Sequence, residues 1–211
     1  MTRLAAASLA LVVAGCQVGA GEGWVRGSAF LPECGYGEGG EAAGAGETLD
    51  VPLRFFFGDV HGDGIDIRLQ SSGAAVDVTD GLTFAIRNRH DVVAEIRANG
   101  AATVPVVAEE PPVPLAGPDL VARATMYLNA SCHDSFVDFS HGLGTLVLTS
   151  MYAREADGDH ANIDRITATF TGLSFRDERP ETAVDGQHPW ATVDGAFDFD
   201  YTRGRPAQPF P

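Results

Sequence analysis

Apolar and polar side chains alternate along much of this chain, in short runs separated by Gly, Pro and Asp. Residues 64–70 show it most plainly: Ile65, Ile67 and Leu69 alternate with Asp66, Arg68 and Gln70. A period of two places one set on each face of a strand, so the run predicts a half-buried β-strand. Leu82, Phe84 and Ile86 alternate in the same way with Thr83, Ala85 and Arg87, and Phe197, Phe199 and Tyr201 with Asp198, Asp200 and Thr202. Further strands are predicted over 24–31, 49–57, 120–128, 143–152 and 163–170. Asn88, Arg89 and His90 read as a turn that sends the chain into one more strand over 92–98. Residues 119–127 come nearest to a helix, but their β-branched content and the following Ala130-Ser131 favour a strand, and no helix is predicted.

The interruptions set the organisation. Residues 35–47, rich in Gly and Glu, read as a loop. Pro105 and the Pro-rich run 109–118 mark a central linker or crossing loop. Each half alone would be marginal in core, so the prediction is all-β: one antiparallel β-sandwich, jelly-roll-like or immunoglobulin-like, over 24–211. The ending 203–211 carries three prolines in its last six residues and cannot continue a central strand. It is either an extended segment laid over the sheet with Phe210 as an anchor, or a frayed terminus. Phe55, Phe56 and Phe57 put large side chains on both faces of one strand. Burial under a covered sheet is the expectation; an exposed aromatic serving a partner or apolar ligand is the other reading.

The first sixteen residues follow a different pattern. Arg3 precedes an apolar stretch over 4–14 broken only by Ser8. It is shorter than the roughly 20 residues a membrane span needs, and it has the dimensions of a signal-peptide core. Val13-Ala14-Gly15-Cys16 resembles the lipobox of bacterial lipoproteins. The resemblance implies cleavage before Cys16, a diacylglyceryl thioether on its sulfur and an acyl chain on the new amino group. It implies attachment to a bacterial membrane through lipid, since several acyl chains hold a protein there stably. Gln17 stands where an Asp would resemble an inner-membrane retention signal, which favours the outer membrane. The segments are then a signal over 1–15, a lipidated tether over 16–23 and the domain beyond.

With Cys16 assigned to lipid, Cys34 and Cys132 are the two of three cysteines that can pair in an oxidising exported compartment. Two buried free thiols, or a catalytic Cys132 with His133, are the alternatives. All 14 basic residues are arginine, against 29 acidic ones, for a net charge of −15. Such a surface repels phosphate backbones and argues against nucleic-acid binding. No polybasic run is present along the sequence, which leaves the acyl anchor as the membrane element.

Two acidic, glycine-bearing segments could wrap calcium, which takes six to eight oxygen ligands. One holds Asp59, His61, Asp63 and Asp66; the other holds Glu155, Asp157, Asp159, His160, Asn162 and Asp164. The first echoes a helix–loop–helix calcium loop only in part, because His61 takes an oxygen position and Gln70 stands at position twelve. Asp and Gly are also the ordinary residues of tight β-turns. A third cluster, His133, Asp134, Ser135, Asp138 and His141, has the residue types of a metal site, an acid–base pair or a hydrolytic triad. No nucleophile elbow, phosphate loop, dinucleotide fingerprint or zinc-protease helix occurs. The expectation is a lipid-anchored envelope protein with a structural or binding role, meeting an envelope protein or glycan. The alternatives are a calcium-supported carbohydrate- or protein-binding module, a hydrolase using the 133–141 region, and a carrier with an apolar cavity.

Overall fold

The structure, a computed structural model, describes residues 20–34, 46–108, 120–132, 138–152, 164–179, 182–184, 186–202 and 204–208. The lipobox with Cys16, the Pro-rich run 109–118, Phe210, His133, Asp134, Ser135, Asp157, Asp159 and Asn162 lie outside the described residues.

Eleven strands form one sheet. In chain order they are β1 (Gly21–Phe30), β2 (Glu47–Pro52), β3 (Phe55–His61), β4 (Gly64–Gln70), β5 (Asp80–Ile86), β6 (Ala102–Val106), β7 (Ala122–Leu128), β8 (Asp138–Phe139), β9 (Leu143–Ser150), β10 (Asp164–Arg176) and β11 (Trp190–Tyr201). Across the sheet the order is β2-β1-β11-β10-β9-β6-β7-β5-β4-β3, with β8 added on β7. All pairings are antiparallel except a parallel touch between β6 and β7 at Val106 and Ala122. The sheet is a curled half-barrel. Its curl brings distant strands face to face: Phe84 of β5 lies 5.4 Å from Phe170 of β10 and 6.0 Å from Phe197 of β11 between ring centres. Phe56 of β3 stacks on Phe199 of β11 at 5.7 Å. The alternation predicted over 64–70 and 82–87 holds for Ile65, Ile67, Leu69, Leu82 and Phe84, buried on the concave side, whereas Gln70, expected on the open face, is buried too.

Several expectations need correction. Residues 92–98 are not a strand but part of a helix, α1 (Arg89–Asn99). Asn88 caps its start by accepting from the Asp91 amide at 3.2 Å, and Gly100, at φ 80°, ends it with its N–H on the Ile96 carbonyl. Val92 and Val93 are buried and Ile96 is partly so, one apolar helical face too short to register as a repeat. Pro105 marks no linker: it sits in β6, between β9 and β7. The Val107 amide reaches the Ala122 carbonyl, so by alternation Pro105 turns its missing N–H toward β7, where pairing is sparse. The predicted strand over 49–57 is two strands, β2 and β3, at opposite ends of the sheet order.

Residues 20–23, expected to precede the domain, belong to the sheet. Ala20 bridges Gln208, and Gly21 opens β1. Gly21 and Gly23 here give clearance: a Cβ on Gly21 would stand 2.5 Å from the Phe56 ring. Ala207 and Gln208 pair edge-on instead of crossing the sheet: Phe56 and Ala207 exchange both backbone hydrogen bonds, at 2.9 and 2.7 Å, and Gln208 bridges Ala20. Of the three phenylalanines only Phe56 enters the core. Phe55 and Phe57 stand half-buried on the convex side, stacked at 6.5 Å. Cys34 and Cys132 form a disulfide across a sequence separation of 98.

Candidate functional site

The split between β6 and β7 creates the site. Beyond Ala122, the free edge of β7 is met by the Gly142 amide on the Ala124 carbonyl and by β8, which pairs Met126 with Phe139 and Tyr127 with Asp138. The chain then leaves β7 and enters β9 alongside β6 and β10. Gly144, at φ 155°, lies in that crossing, and a Cβ there would approach the Leu173 backbone at 3.2 Å. On the facing side β10 carries a bulge at Gly172 (φ 62°), whose amide donates to Asp194 at 2.6 Å. Past the paired Leu143 and Ser174, at the end of these two strands, opens a cleft of about 910 Å³.

Phe139 and Phe175, both 2% exposed, form its floor with rings 6.3 Å apart. Its walls are polar: Asp138, Ser140, His141, Ser174 and the run Arg176, Asp177, Glu178, Arg179, with Leu143 as an exposed apolar lip. Burial pushes the Asp138 carboxyl up from its ordinary value, while nearby Arg179 and His141 act the other way. Asp177 is held below the usual carboxylate range, first by hydrogen bonding to Arg179, whose Nε donates to Oδ1 at 2.9 Å and Nη2 to Oδ2 at 2.6 Å. His141 places Nδ1 3.1 Å from the Ala108 carbonyl, which fixes a donor there and leaves Nε2 as the acceptor of the neutral ring. A second groove of about 410 Å³ adjoins over Ser174 and Arg176, lined by Gln187, His188 and Trp190.

The structure therefore brings Asp138 and His141 of the predicted polar cluster into one cleft. Among the described residues no hydrogen bond joins a serine hydroxyl to His141, and Ser135, the serine of the predicted cluster, lies outside them. The run 176–179 escaped the sequence reading; its signal is four consecutive charged residues where an apolar strand ends before Pro180.

The first acidic segment is a hairpin with its turn at Gly62 and Asp63, as the turn reading expected. Asp59 and Asp66 are directly opposed across β3 and β4. His61 Nδ1 stands 3.9 Å from Asp66, and His90 Nε2 stands 3.6 Å from Asp63. Asp63 turns toward the start of α1, where its carbonyl accepts from the Arg89 amide at 2.7 Å. Among the described residues no group of three or more His, Cys, Asp or Glu is placed to hold a metal ion. Asp164 opens β10 opposite Tyr201.

Fold and cleft together define a curled β-scaffold that carries a mixed-charge cleft at one rim. Comparison with protein-family models, curated proteins and solved structures finds no match.

Proposed function

We propose that this chain is an exported lipoprotein of the bacterial envelope, anchored through Cys16, whose β-scaffold presents the Asp138–Arg179 cleft to an envelope protein or glycan. The disulfide carries the reading. A Cys34–Cys132 bridge belongs to an oxidising compartment, and it leaves Cys16 as the thiol free for lipid. The facing halves of the half-barrel act as the two layers of a sandwich, with the phenylalanine contacts between β5 and β10–β11 as their common core. Paired charges over an aromatic floor suit a polar partner presenting both hydrogen-bond donors and acceptors.

Intact mass of the membrane-extracted chain tests the anchor. Acyl mass on a chain beginning at Cys16 is expected, and Cys16→Ser releases the protein into the soluble fraction. An unmodified chain starting elsewhere rejects the proposal. Binding of the soluble Cys16→Ser chain to isolated cell-wall glycan tests the cleft, with Arg176→Ala as the variant that weakens it.

A further inference from the structure

The cleft does not end at Arg176. Ser174, Phe175 and Arg176 line both it and the adjoining groove of about 410 Å³, so the two volumes form one trough across the ends of β9, β10 and β11. Register arranges its second half. Arg176 and Trp190 are directly opposed across β10 and β11, and so are Ser174 and Thr192, two residues further in. Directly opposed residues share a face of the sheet, with Cβ atoms about 5 Å apart. A guanidinium, an indole and two hydroxyls therefore leave one face side by side, and all four line the groove.

Trp190 does not stand upright there. Phe30 is its partner on β1, and Ala29 pairs with Glu47 on β2, so Gly46 comes next in the same row. A Cβ on Gly46 would stand 2.5 Å from the Trp190 ring. The indole thus reaches sideways across β1, and its far edge rests where glycine leaves room. Trp190 is half-buried and lines the groove, so part of the ring is open to a ligand. An indole held against a sheet and open on its groove side is a platform for the C–H face of a pyranose ring.

Charge is divided along the trough. Among the described residues Arg176 is exposed and enters no ion pair, while Arg179 is held by Asp177. The carboxylates of Asp138 and Glu178 and the acceptor Nε2 of His141 belong to the first half. That half accepts from hydroxyl groups and repels an anion, whereas the Arg176 fork at the junction suits a carboxylate. Volumes of this order fit a small ligand or a stretch of polymer chain, not the broad area of a stable protein interface.

We propose that the trough binds a glycan bearing carboxylates: a pyranose ring stacks on Trp190, a carboxylate beside it pairs with Arg176, and the adjoining sugar meets the acceptors of Asp138 and His141. This rests on the recognition role given to the cleft and narrows its partner to an acidic saccharide.

The probes are peptide-free cell-wall glycan strands, in which alternate sugars carry a carboxylate, and chitotetraose, an N-acetylated glycan with none. Trp24→Phe in the soluble Cys16→Ser chain leaves Trp190 as the single tryptophan. Saturating carboxylated glycan should reduce acrylamide quenching of Trp190 severalfold. At low salt it should bind about tenfold tighter than chitotetraose, and Arg176→Gln should erase that preference. Glycan binding that leaves Trp190 open to acrylamide, equal affinity for the two glycans, or a preference that survives Arg176→Gln overturns the proposal while the cleft reading stands. Absence of binding to either glycan overturns the proposal and the glycan reading of the cleft together.

Discussion

Asp80 holds the turn that delivers Cys132 to its partner, and its removal is the sharpest test of how this fold is held. The residue is 8% exposed, at the start of β5. Its Oδ1 accepts from the Ala130 and Ser131 amides at 2.9 and 3.0 Å, and its Oδ2 from the Ser131 hydroxyl at 2.6 Å. Its own amide donates to the Ser71 hydroxyl at 3.2 Å, which ties both ends of the 71–80 connection. Asp80→Ala deletes three charge-assisted bonds and strands two backbone donors. Each unsatisfied donor costs about 1 to 3 kcal/mol, so a total loss of about 3 to 5 kcal/mol is expected. For a chain of this size that lowers Tm by roughly 6 to 20 °C. Asp80→Asn keeps an acceptor for the two amides, and Ser131 can rotate to accept from the new NH2, so it should lose about 1 to 2 kcal/mol. Urea unfolding followed by circular dichroism, with the disulfide intact, measures both. A loss under 1 kcal/mol for Asp80→Ala, or equal losses for the two variants, would refute the assignment of these bonds as the restraint on the turn.

Gly81→Ala should destabilise by about 2 to 3 kcal/mol, because a Cβ would stand 2.3 Å from the Leu69 carbonyl and 2.7 Å from the Tyr127 hydroxyl. A lowered urea midpoint at constant slope checks it, and Tyr127→Phe should not rescue it, since the Leu69 clash is with backbone. Replacing Cys34 and Cys132 by serine should lose about 4 to 5 kcal/mol by the chain-entropy argument, given the separation of 98 residues. Equilibrium unfolding in the same denaturant measures that loss, and a change under 1 kcal/mol would discount the bridge as a staple. Stability should also vary with pH in two opposed ways. Asp198, lowered first by its hydrogen bond to Arg165, and Asp177 contribute stability that is present above the ordinary carboxylate value of about 4 and lost as pH falls through their depressed values. Asp138, raised by burial, acts with the opposite sign: stability rises as pH falls from neutral through its raised value toward about 4. Unfolding free energies from neutral to strongly acidic pH should show both, with Asp138→Asn removing the rise and leaving the acid loss.

What the sequence disclosed follows from which interactions are local. Ile65, Ile67 and Leu69 announce β4 because one covered face dictates their alternation, and Phe197, Phe199 and Tyr201 announce part of β11 for the same reason. β11 in fact extends back to Trp190, and β10 on to Arg176. Their extensions pass glycines at 195 and 172, which on sequence alone read as breaks. Gly195 is there because a Cβ would meet the Phe170 ring at 2.2 Å, and Gly172 because the bulge needs φ 62°. Both causes lie on other strands or in backbone shape. The helix was hidden differently. Val92 and Val93 carry strand propensity, and the evidence against them was the Asn88 cap and the Gly100 stop, punctuation with no apolar signal of its own.

The site was half legible for a related reason. Asp138 and His141 stood out by residue type, but their neighbours Arg176–Arg179 are distant in sequence and meet them only because β10 and β8 flank one split in the sheet. Composition was a poorer guide. The net charge of −15 does not show where charges pair: Asp177 neutralises Arg179 in the cleft, and Arg68 stands over the Phe57 ring on the convex side. The sign of a surface is set where strands end and turns place their charges.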